Sequence, residues 1–83
     1  MRGADEIYRS LDGLVVSLRE AGYSKLAATI QYRLHKIAWT TRSELFEELE
    51  VVLGRALASD GAEMPEALKR RIAQILSAMR DNS

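Results

Sequence analysis

Apolar residues recur along this chain every three to four positions, in four blocks separated by short polar or glycine-bearing breaks. That period predicts amphipathic helices. The widest block lies between Thr40 and Ser59. Leu45, Leu49, Val52 and Ala56 follow one another at steps of four, three and four, and Phe46, Leu53 and Leu57 broaden the face on one side. The apolar arc exceeds the ~100° that serves packing on one neighbour, so this third helix is expected to touch two others and to organise the fold. Thr41 and Glu44 have the spacing of a capping box, with hydroxyl and carboxylate answering free N–H groups of the first turn. Gly61 is expected to close the helix in a left-handed conformation.

The remaining blocks follow the same logic. Ile7, Leu11, Leu14 and Leu18 form the seam of a first helix, with Tyr8 and Val15 beside it. Asp5 and Glu6 suit the positive end of its dipole. Gly13 is placed on its outer face, at a cost of roughly 1 kcal/mol against alanine, and Gly22 ends it. Ser24 is expected to cap a second helix whose stripe is Leu26, Ile30, Leu34 and Ile37. Pro65 fits the first turn of a fourth, with Leu68, Ile72, Ile75 and Met79 as its stripe. The expected helices are 5–21, 24–38, 42–58 and 65–80. Residues 1–83 then form one all-α domain, a four-helix bundle or an orthogonal four-helix array. Its expected core is Leu11, Leu14, Leu18, Leu26, Ile30, Leu34, Leu45, Leu49, Val52, Leu53, Leu68, Ile72 and Ile75.

Composition narrows the possibilities. The chain has 83 residues and no cysteine, so neither a disulfide nor thiolate chemistry is available, and a scaffold this small depends on close helix packing or self-association. Formal net charge is zero, which removes the general electrostatic case for nucleic acid or an anionic membrane. No apolar run approaches the ~18 residues of a spanning helix, and no signal segment follows Met1. A cytoplasmic location is the expectation.

Charge is segregated. Residues 23–43 carry Lys25, Arg33, Lys36 and Arg42 with no acid, whereas 44–63 carry Glu44, Glu47, Glu48, Glu50, Asp60 and Glu63 against Arg55 alone. The acids of the third helix have little relief at i+4, so they look to the basic second helix. This pattern fits a solvated face or an acidic docking surface. Glu66 has Arg70 four residues on as an expected partner.

The second helix carries the main anomaly. Ala28, Tyr32, His35 and Trp39 stand at steps of four, three and four, on a stripe rotated away from the leucine–isoleucine seam. A helix with two such faces has two neighbours. The second face either packs within the chain, joins a second copy, or meets a different partner, and Tyr and Trp are enriched where interfaces hold their energy. Val16 and Val51, on the outer sides of their helices, add to the case for association.

Candidate chemistry is sparse. His35 is the sole histidine; without cysteine or a carboxylate on its helix it lacks a zinc set, and no Ser-His-Asp arrangement suggests itself. Glu44, Glu47 and Glu48 lack the Glu-x-x-His partners of a di-iron bundle. The run from Glu20 to Ala27 is similar to a helix-turn-helix, with Lys25, Gln31, Arg33 and Lys36 as its reading side chains. Lys69-Arg70-Arg71 is too short a basic run to mark a nucleic-acid or membrane site.

Ala21-Gly22-Tyr23 with Leu26-Ala27, then Thr41-x-Ser43-Glu44-Leu45, then Met64-Pro65 give the chain a pattern that resembles small bacterial all-helical proteins of unknown function. The resemblance implies an all-α fold and no activity; some small proteins of this sort act as antitoxin or immunity partners. The functional expectation is a non-enzymatic protein–protein interaction module, binding a protein partner or itself as a homodimer through Tyr32, His35, Trp39 and Ala28. No catalytic residue, metal, cofactor, small molecule or membrane is expected. The alternative is a DNA-binding, helix-turn-helix-like regulator.

Overall fold

A computed structural model of the chain describes residues 4–37 and 41–82. These form four helices: α1 (Ala4–Glu20), α2 (Ser24–His35), α3 (Arg42–Asp60) and α4 (Glu66–Asn82). The fold is all-α. The helices close a ring in which α1 packs on α2 and α4, and α3 packs on the same two. The wide apolar arc of α3 is thereby used on two neighbours. Yet α3 is not the hub: α1 has the more extensive packing on α2 and α4, because its narrower stripe is buried almost in full.

The interior is apolar. Ile7, Leu11, Leu14 and Leu18 of α1 meet Ile30 of α2, Phe46, Leu49 and Leu53 of α3, and Ile72 and Met79 of α4, all essentially inaccessible. Burying each such side chain contributes about 1.5–3 kcal/mol. Across the ring the Tyr8 and Phe46 rings approach to 6.0 Å with planes inclined at 59°, a tilted geometry that aromatic quadrupoles favour. Leu26, Leu34 and Val52, expected in the core, are only half-buried. The short α2 buries Ala27 and Ile30 alone, since it enters the ring on a narrow edge. Val15, Ala27, Leu45, Ala56, Met64, Leu68, Ile75 and Leu76 complete the core of the described residues.

The α1–α2 corner explains the tightness of that edge. The Tyr23 N–H donates to the Leu18 carbonyl at 2.8 Å and the Gly22 N–H to the Arg19 carbonyl at 3.1 Å. With Gly22 at φ 92°, this is the paired-bond stop in which glycine takes the left-handed position. Tyr23, not Ser24, then occupies the cap of α2 and makes no side-chain capping bond. Three residues leave no room for a separate capping residue, and Ser24 already belongs to the helix.

The other ends vary. Thr41 is extended, and its Oγ1 accepts the Glu44 N–H at 3.2 Å, so the hydroxyl part of the capping box forms. Gly61 has φ −58°, right-handed rather than left-handed. Glycine is needed there for space: a Cβ would lie 2.2 Å from the Leu57 carbonyl oxygen. Pro65 stands one place before α4, where its carbonyl accepts from the Leu68 and Lys69 N–H groups at 3.0 and 3.1 Å. Glu66 pairs with Lys69 at 2.8 Å rather than with Arg70; both spacings share a helix face, and the chain uses the shorter one.

Candidate interaction surface

Two polar contacts set α2 against α1. His35 Nε2 donates to Asp12 Oδ1 at 2.9 Å, and Arg19 donates through Nη2 to Gln31 Oε1. Asp12 is thus level with His35 and Arg19 with Gln31, so the two helices run antiparallel. On the other flank of α2, Arg33 Nε donates to Glu48 Oε1 of α3 at 3.1 Å, while its Nη1 reaches the Thr29 carbonyl at 3.4 Å. The acids of α3 therefore find relief on the basic second helix, and also on α4, where Arg80 Nε lies 3.7 Å from Glu50 Oε1. All these groups are partly or largely exposed, where such pairs contribute about 0–1 kcal/mol each.

With both flanks of α2 occupied, its remaining face looks outward. Tyr32 lies there at 56% exposure, and Ala28 is exposed one turn earlier. His35, at the same end, is exposed but bridges to Asp12, so it belongs to the α1 flank rather than to the centre of the outer face. Trp39, the fourth residue of the stripe, lies outside the described residues. The structure thus brings Ala28 and Tyr32 onto one free surface and sets His35 at its border. Among the described residues the other large apolar side chains left outward are Val16 on α1 and Val51 on α3, at 55% and 48% exposure. Val16 falls between Asp12 and Arg19, hence level with Tyr32. Val51 falls one turn beyond Glu48 on α3.

The reading side chains of the alternative are divided. Gln31 and Arg33 are engaged by Arg19 and Glu48, while Lys25 and Lys36 are exposed. Among the described residues no group of three or more His, Asp or Glu is gathered as a metal set, and no polar or charged side chain is buried. No described helix is long and apolar enough to cross a membrane.

One arrangement escaped the hydrophobic pattern. Arg71 of α4 donates through Nη1 to Ser17 Oγ of α1 at 2.7 Å, and its Nη2 lies 2.6 Å from where a Cβ on Gly13 would stand. Gly13 therefore faces α4, not solvent, and leaves space for the guanidinium. The signal was present as small residues at 10, 13 and 17 on one face of α1, which apolar periodicity alone passes over. Compared with family models, curated proteins and solved structures, the chain matches none.

Proposed function

We propose that this chain is a non-enzymatic interaction module that self-associates through the outer face of α2, with Tyr32 at its centre. The observation that carries the proposal is the free Tyr32 side chain on a helix whose two flanks are already committed to α1 and α3. A tyrosine left outward beside Ala28 offers a large, rigid contact at small entropic cost, the kind of anchor on which interfaces concentrate their energy. Trp39 belongs to this reading by its spacing in the sequence alone.

Substituting Tyr32 by alanine tests it. The folded monomer should be nearly unaffected, within about 0.5 kcal/mol, as for other exposed positions. Association measured by sedimentation should weaken strongly, by roughly 2 kcal/mol if Tyr32 is a true anchor. Unchanged association would overturn the proposal. Loss of the helical signal would do so too, by making Tyr32 part of the fold.

A further inference from the structure

We infer that the outward face of α3 pairs with the same face of a second copy, the two helices antiparallel about a two-fold axis beside Val51. The inference goes beyond the Tyr32 contact and uses a different helix. Glu44, Glu47, Val51, Gly54 and Ala58 follow one another at steps of three, four, three and four, every one exposed, with Arg55 exposed beside them. This stripe lies opposite the side on which Leu45, Leu49, Leu53 and Ala56 enter the core. Glu44, Glu47 and Arg55 have no ion partner among the described residues. Glycine inside a helix disfavours it, and no internal neighbour asks for one here. Beyond the helix itself, nothing lies within 4 Å of the place a Gly54 Cβ would take. Bare backbone next to an exposed valine lets a second helix come close.

The distribution of charge selects both the occupant and its direction. The acids stand before Val51 and the arginine after it, so the stripe complements its own reverse. In an isologous contact the same patch serves both copies. Antiparallel helices centred on Val51 set Glu47 of one copy level with Arg55 of the other, since each lies four residues from the centre. Glu44 is one turn away, and the pairing occurs twice. Val51 meets its counterpart at the centre, beside the gap left by Gly54. Moving the centre to midway between Val51 and Gly54 still leaves Arg55 within a turn of the other copy's Glu47. A two-fold axis along the helix instead sets Glu44, Glu47 and Arg55 each against its own counterpart, and like charges so opposed penalise that docking. The contact has no aromatic anchor, so it is weaker than the one at Tyr32, is sensitive to salt, and forms at higher concentration.

Sedimentation of the full chain at low salt tests this in a Tyr32→Ala background, where the α2 contact is removed. That chain should still dimerise. Glu47→Arg or Arg55→Glu added to it should each weaken the dimer roughly tenfold, because either change acts at two symmetric places. Mixing the two charge variants should restore association, since each supplies the sign that the other lacks. A Tyr32→Ala chain that stays monomeric at its highest soluble concentration would overturn this inference and leave the α2 contact standing. So would charge variants that associate like their parent, or that do not recover on mixing. A Tyr32→Ala chain that associates as strongly as the wild type, and loses association on Glu47→Arg, would overturn the Tyr32 reading and uphold this one.

Discussion

Gly13 shows how one residue reports on its neighbour. Mid-helix glycine costs roughly 1 kcal/mol against alanine, and here it admits Arg71 to a bond with Ser17. A methyl group at 13 would displace the far end of a flexible side chain, not backbone. Gly13→Ala should therefore be close to neutral in the wild type, its helix gain offset by the disturbed Arg71–Ser17 bond. In an Arg71→Ala background the same change should stabilise by about 1 kcal/mol. Urea unfolding of the four variants gives the coupling, expected at about 0.5–1 kcal/mol; additive effects would mean that the contact carries no energy. Gly22 differs: its φ of 92° is a backbone requirement, visible in the sequence as a glycine after a helix-length block. Gly61 has the same sequence context and a right-handed φ, because the constraint there is the nearby Leu57 carbonyl. Local sequence does not reveal which carbonyl will crowd a turn.

At the scale of elements, the apolar period located all four helices. Their ends were legible where a side chain makes the boundary. Thr41 is the clearest case, since its hydroxyl takes the Glu44 N–H. Thr41→Ala should cost about 1 kcal/mol, read as a lower urea midpoint at unchanged slope; a shift below 0.2 kcal/mol would mean that water serves as well. The start of α2 at Ser24 was legible, but its capping residue was not, because Tyr23 serves the end of α1 and the beginning of α2 at once. The α3–α2 charge pairing was legible as a bulk imbalance, and among the described residues it includes Arg33 with Glu48. Which acids would remain outward, Glu44 and Glu47, follows only once the ring fixes the flanks of α3.

For the whole molecule, the ring of four helices encloses one continuous apolar interior among the described residues. Leu49 is fully enclosed, so Leu49→Ala should cost about 2–5 kcal/mol, a large part of the ~5–15 kcal/mol that holds a domain folded. Thermal unfolding should show the loss, and a change under 1 kcal/mol would contradict the packing. The candidate surface was half legible: the sequence places Tyr32 and Ala28 on a second face of α2, but not the commitment of His35 to Asp12, which depends on the level at which α1 and α2 meet. The central claim is that the outward face of α2 joins two copies. Sedimentation equilibrium of the wild-type chain over a wide concentration range at low salt tests it most directly. A mass rising to twice that of the chain is the expected result, and a mass equal to one chain at every concentration would contradict it.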